Sequence, residues 1–192
     1  MLRGLYDWTM RQASGPRALW SLAVISFVES SFFPIPPDIL LIPMILANRD
    51  RAWLVAGVCT VASVLGGILG YLIGALLFEA IGAPLLEFYG YLEKFTDFQA
   101  MYNEYGAWIV FGAGITPFPY KVITIASGVT GLDIVTFMIA SVLARGLRFF
   151  IIAALLWKWG QPIRAFIERY LGLLTVIFFV LLVGGFALLK LL

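Results

Sequence analysis

Three long apolar stretches, at residues 52–78, 134–157 and 171–189, constrain the fold more than any other feature of the sequence. Each is long enough to cross a bilayer as a helix, because about 20 residues span the hydrocarbon core. With 62% hydrophobic and 12% charged residues, the chain has more apolar surface than a water-soluble fold of this size can bury. The sequence therefore predicts an all-α integral membrane protein. It argues against a soluble enzyme, a disordered chain or a nucleic-acid-binding module.

Two further apolar regions, 18–48 and 107–131, are each interrupted by prolines. Their arms are too short to cross about 30 Å of hydrocarbon as straight helices. Proline removes a backbone donor and breaks a helix, and such non-helical backbone is tolerated in a membrane only where protein or a wet cavity surrounds it. We therefore predict two re-entrant hairpins, each a helix, a break and a second helix. The prolines of the breaks are Pro34, Pro36 and Pro37 in the first region and Pro117 and Pro119 in the second.

An amphipathic segment precedes each predicted hairpin. In residues 1–17 and again in residues 79–105, apolar side chains recur at helical spacing among charged ones. This pattern is typical of a helix that lies in the headgroup region of a membrane. The order of elements, an interfacial helix, a hairpin and a span, therefore occurs twice.

The repeated order predicts a single membrane domain built from two repeats, at about 1–80 and 81–158, and a last span at 171–189. A shift by the 83 positions from Pro34 to Pro117 also brings Asp38 onto Lys121. Few residues are identical after this shift, so the repeat rests mainly on the order of the elements.

The distribution of basic residues predicts the orientation. If both hairpins are re-entrant and the three long stretches cross, the N-terminus, the 48–51 turn and the 158–170 loop share one side. Only Lys94 and Lys190 lie on the other side, so the positive-inside rule makes the N-terminus cytoplasmic. The two repeats then have opposite orientations, which is a transporter architecture. The basic residues on the predicted cytoplasmic side are Arg3, Arg11, Arg17, Arg49, Arg51, Lys158, Arg164 and Arg169.

Five charged residues lie inside apolar stretches: Glu29, Asp38, Lys121, Arg145 and Arg148. Such a group costs about 2.5–3.5 kcal/mol at the bilayer centre, so it usually faces a cavity and has a partner. The repeat predicts that Asp38 and Lys121 approach each other at the hairpin tips. Arg145 and Arg148 share one helix face and suit a phosphate group. We predict that the five residues bind substrate or protons; the alternative is that they only pair with one another.

Other kinds of site have little support in the sequence. It contains no histidine, and Cys59 is the single cysteine. We therefore expect no catalytic residue, no metal site and no cofactor, with Ser127 and Thr116 only weak candidates for a nucleophile. A run of glycines in the 52–78 stretch predicts close packing between helices. These glycines are Gly66, Gly67, Gly70 and Gly74.

Three segments carry a family resemblance: FVESSFFPIPPDILLIP (27–43), GGILGYLIG (66–74) and FGAGITPFPYKVITIASG (111–128). They resemble the DedA superfamily of bacterial inner-membrane proteins, also described as VTT or SNARE-associated-like proteins, and most closely its YqaA-type branch. The resemblance implies two opposed re-entrant hairpins in the bacterial inner membrane. It also implies transport or scrambling of lipids, including undecaprenyl phosphate, and for some members a dependence on the proton-motive force.

The resemblance also implies roles for particular residues. Glu29 and Asp38 resemble the two acidic residues that are important in the family, and Lys121 resembles the later basic residue of its second motif. The earlier arginine of that motif is absent, because its place falls among residues 113–115. We infer that Arg145 or Arg148 supplies the missing charge.

We expect a transporter or flippase for a lipid or lipid-linked phosphate, with membrane lipids as its partners. The three basic residues would meet the phosphate, and the two acids would couple its movement to protons. Two alternatives remain open: a small-ion or proton antiporter whose acids bind the ion, and a membrane-integral assembly or scaffold factor without a substrate. No nucleic-acid partner is expected, and a homo-oligomer is compatible with each hypothesis.

Overall fold

The computed structural model describes residues 17–32, 36–116, 118–160 and 162, and these residues form helices and no β-strand. The predictions for residues 1–16, for Pro34, for Pro117 and for the span at 171–189 lie outside the described residues. The helices are α1 (Ala18–Ser31), α2 (Asp38–Ala47), α3 (Ala52–Leu77), α4 (Ala83–Tyr89), α5 (Leu92–Ile115), α6 (Tyr120–Val129) and α7 (Ile134–Gly160).

Two helical stretches are long and apolar enough to cross a membrane. One is the run Arg49–Tyr89, which contains α3, and the other is α7. The 27 residues of α7 extend about 40 Å, which exceeds the hydrocarbon thickness. On both helices large apolar side chains such as Val61, Leu65 and Leu147 are exposed, as expected for surfaces that face lipid. These findings agree with an all-α membrane protein.

Helix α1 lies parallel to the first half of α3. Hydrogen bonds join Ser26 to the Cys59 carbonyl and Ser30 to Ser63, and both pairs are separated by 33 residues. A constant separation means that the two helices run in the same direction. Their close approach depends on Gly66, where a Cβ would collide with the carbonyl oxygen of Phe27.

Helix α6 lies along the second half of α3. Gly70 faces the hydroxyl of Thr124, and a Cβ at Gly74 would collide with the carbonyl oxygen of Ile125. From the α6 side, Gly128 meets the backbone of Tyr71 in the same way. The prediction that the glycines of this stretch provide close packing between helices is therefore confirmed.

Two pairs of helices, α1–α2 and α5–α6, approach each other near the middle of α3. In the first hairpin, α1–α2, helix α2 returns to the start of α3, and Leu41 and Ile45 share a core with Val55. In the second hairpin, α5–α6, Gly106 packs against Leu132 at the far end of α3. Described residues beside the breaks meet the middle of α3: the Ser31 hydroxyl donates to the Gly66 carbonyl, and the Tyr120 ring lies near Gly67.

The predicted interfacial helix at 79–105 is wrong as a single element. A π-helical turn, Phe78–Gly82, continues α3 into α4. The break falls instead at Gly90, whose φ of 70° is a left-handed conformation that glycine adopts without steric cost. Helix α5 then runs without interruption into the first arm of the second hairpin.

Candidate functional site

The candidate site lies where α7 crosses the two breaks. Arg145 and Arg148 are one turn apart on α7, and both guanidinium groups are directed at carboxylates of the first hairpin. The long α7 helix therefore places two cations beside the two acids that the sequence singled out.

Glu29 and Arg145 form the inner ion pair. Arg145 Nη2 lies 3.2 Å from Glu29 Oε2, and the two side chains are only 3% and 14% exposed, Arg145 being the more buried. Arg145 Nε also donates to Ser63 Oγ at 2.6 Å. Ser63 in turn bonds Ser30, whose hydroxyl reaches the same carboxylate oxygen of Glu29. The pair thus has hydroxyl partners from both α1 and α3, which a charge removed from water needs.

Two aromatic rings enclose the Arg145 guanidinium. Its central carbon is 4.9 Å from the ring centroid of Tyr120 and 4.7 Å from that of Phe149. Both rings are fully buried, and the Tyr120 hydroxyl donates to Ser141. Contacts between a guanidinium and a ring face stabilise a cation that has left water. This arrangement fixes Arg145 in one position.

Asp38 and Arg148 form the outer ion pair, which joins the two hairpins. Arg148 Nη2 donates to Asp38 Oδ2 at 2.7 Å, and Arg148 Nη1 donates to the Thr116 carbonyl at 2.8 Å. Asp38 is the first residue of α2 in the first hairpin, and Thr116 follows α5 in the second. One side chain therefore contacts both breaks.

The outer pair has unused hydrogen-bonding capacity. Asp38 Oδ1 and Arg148 Nε are both buried, and neither has a hydrogen-bond partner among the described residues. A fully bidentate pair would use both of these atoms. Here they provide one free acceptor and one free donor at the junction of the breaks, beside side chains that remain about one fifth exposed.

The structure does not pair Asp38 with Lys121. Asp38 pairs with Arg148 instead, so the alternative in which Asp38 and Lys121 pair with each other is wrong. That both residues bind substrate or protons stays a prediction. Lys121 lies on the first turn of α6 and is half-buried. Among the described residues its ammonium group has no carboxylate partner. The difference arises because α7 lies between the breaks and supplies its own cation to Asp38.

The described prolines stand at the starts of the return helices. Pro37 precedes α2 and Pro119 precedes α6, each in the N-cap position. Pro37 is buried, whereas Pro36 and Pro119 are exposed. Because proline lacks a backbone donor, it suits the end of a break where a new helix begins. Asp38 thereby sits at the N-terminus of α2, where a negative charge is favourable.

Three contributors to the site were not predicted. Ser30 and Ser63 hydrogen-bond the inner pair, and the Thr116 carbonyl binds Arg148. For Ser30, the sequence offered one signal: serine hydroxyls recur four residues apart, at 26 and 30 of α1. Within the residues described, no three or more Cys, Asp or Glu side chains are grouped to hold a metal ion.

The comparisons with known proteins identify the family. A model described as "VTT domain" matches residues 35–158, which is most of the chain and includes Asp38, the second break and all but the last two residues of α7. The chain belongs to the VTT-domain family. This match confirms the resemblance to the DedA superfamily, while assignment to the YqaA-type branch stays a prediction. Members of the VTT-domain family are membrane proteins of a transporter-like or flippase-like class.

Two relatives extend the similarity over nearly the whole chain. An uncharacterized protein of Haemophilus influenzae is 33% identical over 186 residues, 97% of this chain and 96% of the relative. A Histophilus somni protein, titled as an uncharacterized HI0703 homolog, is 35% identical over 177 residues, 90% of this chain and 92% of its own length. No solved structure matches the chain.

Proposed function

We propose that this VTT-domain protein moves a lipid or lipid-linked phosphate across the bacterial inner membrane, coupled to protons. The observation that carries the proposal is Arg148, which contacts Asp38 at one break and the Thr116 carbonyl at the other. A cation that joins two helix breaks in the interior of a membrane protein is a suitable binding group for an anion.

The arrangement of the helices supports this proposal. The hairpins open at opposite ends of α3, and their breaks meet near its middle. In a bilayer this corresponds to two re-entrant hairpins of opposite orientation, with a polar site near the midplane. The basic residues at 49–51 and at 158 belong to one end of α3 and α7, so the positive-inside rule supports a cytoplasmic N-terminus.

The proposed mechanism is an exchange of partners at the outer ion pair. A phosphate offers several acceptor oxygens, and a guanidinium binds them with good geometry. When phosphate takes Arg148 from Asp38, the carboxylate loses its cation and accepts a proton from water on that side of the membrane. Release of the phosphate on the other side returns Arg148 to Asp38, which gives up the proton. Lys121 supplies a further cation to the headgroup.

Lipid translocation in proteoliposomes tests this proposal. Fluorescent phospholipids and a polyprenyl phosphate are followed with and without a pH gradient, for wild type, Glu29→Gln, Asp38→Asn and Arg148→Gln. We expect flux to fall by about tenfold or more in each variant, the scale of losing a charged hydrogen bond. Lys94→Gln, in the first turn of α5 and away from the site, is the matched control and keeps the flux.

The same assay separates the alternatives. Proton or small-ion flux without lipid movement would favour an antiporter whose acids bind the ion. Folded wild-type protein that moves neither lipid nor ions would overturn transport and favour an assembly factor. Full lipid flux in folded Asp38→Asn and Arg148→Gln would contradict the proposed site even if the protein is a flippase.

A further inference from the structure

One end of the helix bundle gathers half of the described basic side chains. The separation of 33 residues between α1 and α3 places Arg17 level with the turn Arg49–Arg51. The end of α7 reaches the same place, because Arg49 Nη1 donates to the Trp157 carbonyl at 3.4 Å. We call this region the basic end and define it by four residues: Arg17, Arg49, Arg51 and Lys158.

The cations of the basic end are not neutralised by the described residues around them. The two ion pairs in the described part of the chain both belong to the site between the breaks. Asp50 is the acidic residue of this end, and its backbone N–H is bound by the Asn48 side chain. Arg17, Arg51 and Lys158 are exposed. The described part of the basic end therefore carries excess positive charge that is accessible from outside.

Three tryptophans lie beside these cations. The Trp53 ring stacks on Phe150 at 6.1 Å and lies 6.3 Å from the Trp157 ring. Lys158 Nζ is 4.7 Å from the centre of the Trp159 ring. The three indoles are each about half exposed, between 46% and 49%. Indole side chains favour the level of lipid headgroups in a membrane protein, so they place the neighbouring cations at that depth.

The opposite end of the bundle has the reverse charge. Beyond the far end of α3, Lys94 is the single basic residue of the segment 79–105, and Asp133 follows the second hairpin. The acidic residues of the segment are Glu79, Glu87, Glu93, Asp97 and Glu104. An anion at headgroup depth is thus attracted at one end of the bundle and repelled at the other.

We propose that the basic end binds the headgroup of an anionic phospholipid, such as phosphatidylglycerol, from the surrounding leaflet. The phosphate meets Arg49, Arg51 and Lys158, and the tryptophans contact the glycerol region and the first part of the acyl chains. The binding surface is separate from the pair Asp38–Arg148 and does not depend on transport. Its occupant is a lipid of the membrane and not a soluble anion, because an exposed indole ring lies beside Lys158 and two more belong to the same end.

The experiment is a lipid titration of the purified full chain in a neutral detergent. Native mass spectrometry counts bound phosphatidylglycerol or phosphatidylcholine for wild type, Arg51→Gln/Lys158→Gln and the control Lys94→Gln. We expect phosphatidylglycerol to bind the double variant about 30-fold more weakly, from two lost charges near an anionic headgroup. Lys94→Gln should bind it like wild type, and about 0.5 M salt should weaken the binding.

Several results would overturn this proposal. Equal affinity for phosphatidylcholine would show that charge does not select the lipid, and unchanged affinity in the double variant would place the binding elsewhere. Competition by soluble glycerol phosphate at the same concentration would identify a free anion as the ligand. If the double variant does not fold, Lys158→Gln alone, an exposed side chain, replaces it. An Arg51→Gln/Lys158→Gln variant that loses phosphatidylglycerol binding but keeps lipid flux separates this proposal from the transport site.

Discussion

The two hairpins have similar shapes but are held in different ways. The first hairpin is held at its break by charge, since Glu29 pairs with Arg145 and Asp38 with Arg148. At the second break, α7 meets neutral groups: Arg148 binds the Thr116 carbonyl, and the Tyr120 hydroxyl donates to Ser141. The same helix, α7, therefore binds one hairpin through two carboxylates and the other through neutral groups.

The second hairpin is instead held at its open end by neutral hydrogen bonds. Gln99 and Asn103 both donate to the Thr130 carbonyl, at 2.6 and 3.0 Å. The Tyr71 hydroxyl donates to the Leu132 carbonyl at 2.6 Å. These bonds fix the turn that leads from α6 into α7. We call the three donors and the two carbonyls the turn clamp.

The contacts of the two hairpins differ in whether a ligand can replace them. An ion pair between Asp38 and an arginine can be replaced by a phosphate on one partner and a proton on the other. The turn clamp uses neutral groups and buried carbonyls, which an anion cannot replace. The first break is therefore the part suited to binding and movement, and the open end of the second hairpin is suited to holding the scaffold in place.

Removing the inner cation should have the largest effect on stability. We expect Arg145→Met to lower the free energy of unfolding by about 3–5 kcal/mol, because it leaves the Glu29 carboxylate buried without a partner. The double variant Glu29→Gln/Arg145→Met should recover part of this loss. Unfolding by denaturant in detergent micelles measures both. If the single and double variants are equally destabilised, the inner pair does not hold the first hairpin.

Glycine substitutions test whether both hairpins depend equally on α3. A Cβ at Gly66 would strike the Phe27 carbonyl of the first hairpin, and one at Gly74 would strike the Ile125 carbonyl of the second. We expect Gly66→Ala and Gly74→Ala each to cost about 1–3 kcal/mol, the range for overpacking a tight contact.

Gly57→Ala provides the matched control for these substitutions. Gly57 lies on the same helix, and a Cβ there would have no neighbour within 4 Å in the described part of the chain. The control should be neutral or slightly stabilising, since alanine favours a helix over glycine. Thermal unfolding of the three variants in one detergent makes the comparison. A loss at Gly57 equal to that at Gly66 would argue against close packing as the cause.

The sequence predicted the helix breaks and long helices better than it predicted the pairing of charges. Proline positions and the length of apolar stretches are local properties, so they identify the broken regions and the helices α3 and α7. The partner of Asp38 lies 110 residues away, and its identity depends on which face α7 presents to the hairpins. The repeat suggested Lys121 because it aligned positions without this third helix.

The hydropathy pattern also did not predict the contacts made by backbone carbonyls and hydroxyl groups. The Thr116 carbonyl contacts Arg148 only because α5 ends at that point. Ser63 interrupts neither the length nor the apolar character of α3, yet it binds Arg145. Gly90 was likewise overlooked as a boundary, because apolar residues recur at helical spacing on both sides of it. These features depend on packing, which one sequence does not specify.

The turn clamp should show a smaller and non-additive effect. Gln99→Ala or Asn103→Ala alone should cost about 1 kcal/mol, because the other amide still donates to the Thr130 carbonyl. Together they leave a buried carbonyl without these donors, so the double variant should lose more than the sum of the two. Denaturant unfolding of the four proteins in the cycle measures the coupling. Strict additivity would mean that the two amides do not share the carbonyl in solution.

The smallest expected effect is at Asp133, which caps α7 on the side of the second hairpin. Its Oδ2 accepts from the backbone N–H of Thr136 at 2.7 Å and from the Thr136 hydroxyl at 2.9 Å. The hydrogen bond from the Thr136 backbone is the main reason that the pKa of Asp133 lies below its ordinary value of 3.8. A lowered pKa in the folded state means that the stability from the cap is fully present above pH 3.8 and is lost as the pH falls through the folded value.

We expect Asp133→Ala to lower the melting temperature slightly near neutral pH, and the difference from wild type to shrink as the medium is acidified. Asp133→Asn keeps a capping side chain without a carboxyl group, so it should retain most of the stability, and its advantage over Asp133→Ala should not depend on pH. Melting curves across the acidic range test this pH dependence. A constant difference between wild type and Asp133→Ala would mean that the cap acts without its charge. The start of α7 would then depend on the turn clamp alone.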